Sequence, residues 1–179
     1  MIDLWGNGKP LYGENGTDYE EFMFQTEIEK IIDNKSNNIS SKPFFLVYTS
    51  HLIHAPQQIP KEYLSLYDDD EIECSQLDTY VYPGFNNSNG NDKNYKCRSI
   101  LESMVTLLDE IIGNITNKLK ETNLWNNTLL ILSTDNGGSI QLPCCSGNNY
   151  PLRGGKASPW EGGLRGAGTK ISECLFTLC

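Results

Sequence analysis

The chain has 179 residues, enough for one domain with a real core, and a formal net charge of −9. That charge argues against a nucleic-acid partner, because binding phosphates needs a basic surface. No apolar run approaches the roughly 20 residues that cross a bilayer as a helix, so no membrane span is expected.

Residues 1–17 are rich in Gly, Asn and polar side chains and read as a loop. Their start, MIDLWGNGKP, has no basic n-region and no apolar h-region, so it is not a signal peptide. From Asp18 to Ile32 apolar residues fall at Phe22, Phe24, Ile28, Ile31 and Ile32, a roughly helical spacing with acidic residues early. A polar connection, Asp33 to Lys42, follows. Pro43 to Ser50, PFFLVYTS, is a near-continuous apolar run and predicts a strand buried on both faces, as in a parallel sheet. At its carboxyl end stand His51 and His54, the two histidines of the chain. A histidine in that place is structural or catalytic on residue type alone.

Pro60 begins a short helix-like stretch, PKEYLSLY. The acidic run Asp68 to Glu71 reads as a solvated loop. Residues 73–95 hold Pro, Gly, Asn and Ser and read as a surface insertion, closed by a Cys74–Cys97 disulfide. The clearest helix runs from about Tyr95 to Glu121, with Leu101, Met104, Val105, Leu108, Ile111, Ile112, Ile115 and Leu119 in i, i+3/i+4 spacing. Leu129 to Thr134 is a second strand-like run. Strand, helix, strand predicts one βαβ unit with a right-handed crossover.

That second strand ends in Asp135-Asn136-Gly137-Gly138. A carboxylate beside an amide oxygen suits a hard cation such as Ca²⁺ or Mg²⁺; the same four residues also suit a plain turn. Both strands would deliver their ends, His54 and Asp135, to one sheet edge, where open α/β sheets bind ligands. A glycine-rich basic segment with Arg153, Lys156, Trp160, Glu161 and Arg165 follows. The final TKISECLFTLC has no clear period.

Six Asn-x-Ser/Thr sequons, at Asn15, Asn34, Asn38, Asn86, Asn114 and Asn126, favour a secretory-pathway glycoprotein. Asn114 lies off the apolar stripe of its helix, so a glycan there would face solvent. Cys74, Cys97, Cys144, Cys145, Cys174 and Cys179 lack Cys-x-x-Cys spacing and read as disulfide partners or buried thiols rather than a zinc site. Secretory features without a leader lead to the expectation that an N-terminal part of a larger protein precedes this chain.

Three stretches, KPFFLVYTSHLIHAPQQIPKEYLSLYD, LLDEIIGNITNKLKETNLWNNTLLILSTDNGG and NNYPLRGGKASPWEGGLRGAG, resemble the sulfatase family, and within it the arylsulfatase B-like branch. The resemblance covers most of residues 18–168 apart from the 73–95 insertion. It implies an α/β, alkaline-phosphatase-like fold, present in part, with a mostly parallel sheet flanked by helices. It divides the chain into a partial catalytic domain, 1–168, and a divergent tail, 169–179. The implied activity is hydrolysis of sulfate esters, on a small molecule or a sulfated glycan, in a lysosomal or secreted protein.

By resemblance, Asp135 and Asn136 match a pair that ligates a divalent cation, usually Ca²⁺. His54 matches a histidine that contacts the sulfate ester, and Lys156 a lysine that binds a sulfate oxygen. His51 has no counterpart and stays structural. Arg153, Trp160, Glu161 and Arg165 shape and pack the loop. The physical sense is independent of the resemblance. Negative charge gathers on the ester oxygens under attack, where a fixed ammonium stabilises it, and a histidine on the leaving side donates a proton if its pKa is near the working pH. Without the resemblance, Lys156 would read as a solvated loop lysine.

The family's nucleophile is a formylglycine made from the Cys of a Cys-x-Pro-x-Arg motif. None of the six cysteines here has that context. The isolated chain is therefore expected to be inactive, to bind metal weakly or not at all, and to fold poorly or aggregate for want of neighbouring strands. The rival expectation is a non-catalytic relic that binds sulfated glycans or a protein partner through Arg153, Lys156 and Arg165. A phosphoryl-transfer enzyme on the same fold is a weaker third, given the LRGGK and WEGG context.

Overall fold

A computed structural model describes residues 4–11, 18–38, 42–54, 57–67, 97–140 and 147–171. The chain divides into two units, residues 1–50 and 51–179. The sequons at Asn15 and Asn86, the acidic run 68–71, the 73–95 insertion, the Cys74–Cys97 pairing, Cys144, Cys145, and the tail beyond 171 lie outside the described residues.

In the first unit, the expected loop at the N-terminus is a hairpin. Strands β1 (Trp5–Gly6) and β2 (Lys9–Pro10) pair antiparallel. Asn7 (φ 52°) and Gly8 (φ 75°) form the turn. Both central residues have positive φ, which Asn-Gly tolerates best and which matches the twist of a two-residue hairpin. Helix α1 spans Glu20–Asn37, starting later and ending later than the apolar spacing indicated. Its buried residues are Ile28, Ile32 and Glu21, while Ile31 is exposed. Glu21 is inside because two hydroxyls meet it: Tyr48 Oη donates to Oε2, and Ser50 Oγ to Oε1 at 3.1 Å. A buried carboxylate needs such partners. Burial first, and then the hydrogen bond to Glu21, holds the Tyr48 phenol well above its ordinary pKa.

The predicted strand Pro43–Ser50 is not one. The segment forms no ladder with any described residue, and Phe45 is 92% exposed. An apolar run encodes a face to be buried; it does not supply the partner that makes it a strand.

The second unit is built on α3, Cys97–Glu121. Ile100, Met104, Leu107, Ile111, Ile115 and Leu119 recur every three or four residues and are buried. The stripe is therefore rotated slightly from expectation: Ile100 and Leu107 belong to it, and Val105 is exposed. Against it pack α2 (Lys61–Leu64), entered at Pro60, and a 3-10 turn, Ser65–Tyr67. Leu64 and Ile59 are buried. Tyr63 Oη donates to Glu110 Oε2 (2.7 Å), and Tyr67 Oη bonds Thr106 Oγ1 (2.6 Å). Ser103, also buried, donates to the carbonyls of Ser99 and Tyr63.

Helix α3 ends in a left-handed Asn123 (φ 59°). The Leu124 N–H reaches the Leu119 carbonyl (2.9 Å) and Asn123 N–H the Lys120 carbonyl (3.0 Å), the paired bonds that close a helix C-terminus. Trp125, buried, begins a 3-10 turn (Trp125–Asn127), and Lys120 lies over its ring at 5.3 Å. Strand β3 (Leu130–Ser133) follows. The short helix α4 (Glu161–Leu164) and β4 (Gly168–Ile171) complete the described chain.

Strand β3 pairs with β4 antiparallel, Leu130 opposite Ile171 and Ser133 opposite Gly168. The expected mostly parallel sheet and its βαβ unit are thus corrected: among the described residues there are two small antiparallel sheets. The chain turns back on itself after β3, and a returning neighbour pairs antiparallel. Nor is β3 a buried strand, since Ile131 is 66% exposed.

Candidate functional site

Pairing of β3 with the returning chain extends one residue beyond the strand, Thr134 N–H to the Ala167 carbonyl at 2.9 Å. Asp135, exposed, and Asn136, half-buried, come next. Asn136 Nδ2 donates to the Gly137 carbonyl (3.2 Å), which leaves its Oδ1 as the acceptor atom. Gly137 N–H donates to the Gly163 carbonyl (3.0 Å). A Cβ at Gly137 would collide with the Gly162 carbonyl oxygen, so the close approach of these two backbones requires glycine.

Lys156 is joined to that turn. Its backbone N–H donates to the Gly138 carbonyl at 3.0 Å. Asn149 binds the same residue with its side chain: Gly138 N–H donates to Oδ1 (2.8 Å), and Nδ2 donates to Gly138 O (2.7 Å) and Gly154 O (3.1 Å). Lys156 is half-buried and forms no ion pair with any described residue. Ala157 beside it has left-handed backbone (φ 68°), a conformation that a non-glycine residue holds only when its surroundings impose it.

The other charged groups of the segment are engaged. Arg153 stacks over the Trp160 ring, its Cζ 3.8 Å from the centroid. Arg165 Nε pairs with Glu161 Oε2 at 2.8 Å. The Arg153 carbonyl accepts the Gly162 N–H (2.9 Å), closing the loop on α4. The relic reading, with Arg153, Lys156 and Arg165 as a shared anion patch, is not favoured by this arrangement.

His54 arrives on a separate segment. Its N–H donates to the His51 carbonyl (2.9 Å) in a tight turn, and its side chain is exposed. The sheet-edge argument that put His54 beside Asp135 is lost with the strand at 43–50. Lys156 is brought to the Asp135 turn by hydrogen bonds; His54 stands outside those bonds. Asn34, Asn38 and Asn126 are exposed, and Asn114 is half-buried. Asn149 was missed. In sequence, Asn-Asn-Tyr-Pro signals only a turn, and nothing local tells that the carboxamide reaches back eleven residues.

Asp135 and Asn136 offer a carboxylate and an amide oxygen, the donor chemistry of a hard-cation site. They fit such an ion as two of the six to eight oxygens that Ca²⁺ takes.

The fold and the sequence are those of a sulfatase. The chain matches the Sulfatase family over residues 4–166 and belongs to that family, whose members hydrolyse sulfate esters. It is 30% identical over 173 residues to Arylsulfatase J of Mus musculus, covering 97% of this chain and 24% of that protein. It is 26% identical over 161 residues to N-acetylgalactosamine-6-sulfatase of Homo sapiens, covering 84% of this chain and 25% of that protein. Among solved structures it is similar to Ps i-CgsB in complex with k-i-k-neocarrahexaose, with a TM-score of 0.66, 28% identity, and 92% of this chain and 30% of that chain covered. These neighbours place the chain in the alkaline-phosphatase-like α/β fold. The chain spans about a quarter of the length of the two curated relatives. No described helix is long and apolar enough to cross a membrane.

Proposed function

We propose that residues 1–168 form part of the catalytic domain of an arylsulfatase-like sulfate-ester hydrolase, and that Lys156 is its sulfate-binding cation. The observation that carries this is the 3.0 Å bond from Lys156 N–H to the Gly138 carbonyl, which ties the lysine to the Asp135–Asn136 turn. An ammonium held by a fixed backbone faces charge developing on a sulfate oxygen without reorganising, so it stabilises the transition state more than the ground state. His54 contacts the ester and, when protonated, gives its proton to the leaving oxygen. Asp135 and Asn136 would supply two of the oxygen ligands of a divalent cation, Ca²⁺ or Mg²⁺, whose chemistry when bound would be Lewis-acid stabilisation of charge at an ester oxygen.

The substrate is a sulfate monoester, on a small molecule or a sulfated glycan. A neighbour crystallised with a neocarrahexaose supports the sugar form. The protein is lysosomal or secreted, with N-glycans at Asn15, Asn34, Asn38, Asn86, Asn114 and Asn126. By itself the chain turns over no aryl sulfate, because the nucleophile context Cys-x-Pro-x-Arg is not among its residues.

The test is a titration of the chain with sodium sulfate against sodium chloride at equal ionic strength, read by hydrogen-exchange protection of residues 152–158. Sulfate is expected to protect this segment, and Lys156→Ala to abolish the effect. Equal protection in the Lys156→Ala variant would refute the assignment.

A further inference from the structure

We propose that Asn149 is a positioning residue, whose carboxamide clamps the Asp135–Gly138 turn to the loop carrying Lys156 and so sets where the ammonium stands. The proposal rests on the reading of Lys156 as the sulfate-binding cation.

The geometry is that of a single β-bridge in which a side chain replaces a strand. In a ladder, a residue exchanges its N–H and C=O with its partner. The Asn149 carboxamide does the same with Gly138, accepting its N–H at 2.8 Å and donating to its oxygen at 2.7 Å. Its second amide hydrogen goes to Gly154 O, 3.1 Å away and two residues before Lys156. The Gly138 oxygen then accepts from both Asn149 Nδ2 and Lys156 N–H, filling its two lone pairs. One atom therefore joins the clamp and the lysine.

Only a short carboxamide satisfies all three bonds. Aspartate has the acceptor but neither donor, and would set a carboxylate against two carbonyl oxygens. Alanine would leave a half-buried N–H and C=O of Gly138 short of partners. The role of the clamp is preorganisation: without it, Lys156 must be ordered at the moment of binding.

The test uses the full chain with Asn149→Ala, Asn149→Asp and Lys156→Ala, each titrated with sodium sulfate and read by peptide-resolved hydrogen exchange. With Asn149→Ala, exchange should quicken in 134–140 and 152–158 while α3 stays protected, and sulfate should bind about tenfold more weakly, a change of about 1.4 kcal/mol. With Asn149→Asp, the Gly138 N–H should stay protected while the Lys156 N–H loses protection. Sulfate affinity unchanged in Asn149→Ala, but abolished in Lys156→Ala, overturns the clamp and leaves the Lys156 reading standing. Unchanged affinity in Lys156→Ala overturns that reading and the clamp with it. Should Asn149→Ala lose α3 protection as well, the Asn149→Asp variant decides, and its Lys156 N–H remaining protected overturns the proposal.

Discussion

Ile111 and Ile131 lie in one unit, the first on the apolar stripe of α3 and the second in the apolar run of β3. Ile111 is fully buried, whereas Ile131 is 66% exposed. A helix closes its own backbone hydrogen bonds and needs cover on one stripe only, to which α2 and the two 3-10 turns contribute. A strand needs partners at its edges and cover on its faces. Strand β3 has β4 along one edge, and its side chains remain largely exposed. The same unit thus contains a helical part complete in itself and a strand part whose apolar face is open. The proposed site hangs from the second part, and what holds it there is hydrogen bonding between loops rather than a core.

The largest effect should come from the helical part. Ile111→Ala removes a fully buried side chain and leaves a cavity that α2 and α3 cannot fill, so unfolding free energy should fall by about 2–5 kcal/mol. Denaturant unfolding followed by helix signal checks this. A loss below about 1 kcal/mol would mean that α3 is not the core of the unit.

Next is Gly137→Ala, which tests the loop mesh. The new methyl meets the Gly162 carbonyl, so the turn and α4 must move apart. The expected destabilisation is about 1–3 kcal/mol. It should be local, with faster exchange in 134–140 and 160–165 and none in α3. Spread of the effect into α3 would show that the two parts are coupled more tightly than the comparison allows.

How much of this was legible follows the same division. The 25 residues of α3 carry several turns of one period, which local spacing states directly. The break at Pro60 and the apolar run of β3 were equally readable. The hairpin at Trp5–Pro10 was not, because its two-residue strands are too short to show alternation and only Asn7-Gly8 signals it. Strand β4 was unreadable for a related reason: GTKI has no apolar pattern of its own, and pairing with Leu130–Ser133 makes it a strand. The run 43–50 misled because its composition describes burial, and burial depends on what lies beside it. Glu21 is inside only because Tyr48 and Ser50 approach it, a contact across twenty-seven residues for the first. Of the site, the Asp135–Asn136 pair and Lys156 were visible as residue types, while the Gly138 carbonyl that links the turn to the lysine is a backbone atom with no sequence signal.

A smaller effect is expected from pH. Burial, and secondarily the hydrogen bond to Glu110, push the Tyr63 phenol up to about 12 from an ordinary value near 10. A raised folded pKa means that the neutral phenol is favoured by folding. Its contribution is full below pH 10 and is lost as pH rises from 10 to 12. Thermal midpoints of the chain and of Tyr63→Phe should therefore converge over that window. Tyr48 titrates in the same direction, so the difference between the two proteins, rather than either curve, isolates Tyr63. Curves that stay parallel from pH 9 to 12 would remove Tyr63 from the packing of α2 on α3.

The smallest change in stability should be that of Ile131→Ala. A side chain two-thirds exposed has little burial to lose, and a substitution of this kind stays within about 0.5 kcal/mol. Self-association is where it should act. An apolar face at a strand with an open side is a template for contact with other chains, and trimming Ile131 should reduce light scattering at equal concentration. Set beside Ile111→Ala, the two variants remove the same atoms from the same residue type and should differ several-fold in stability. If Ile131→Ala proved as damaging as Ile111→Ala, the face of β3 would have to be covered in solution, and the contrast between a finished helical part and an open strand part would fail.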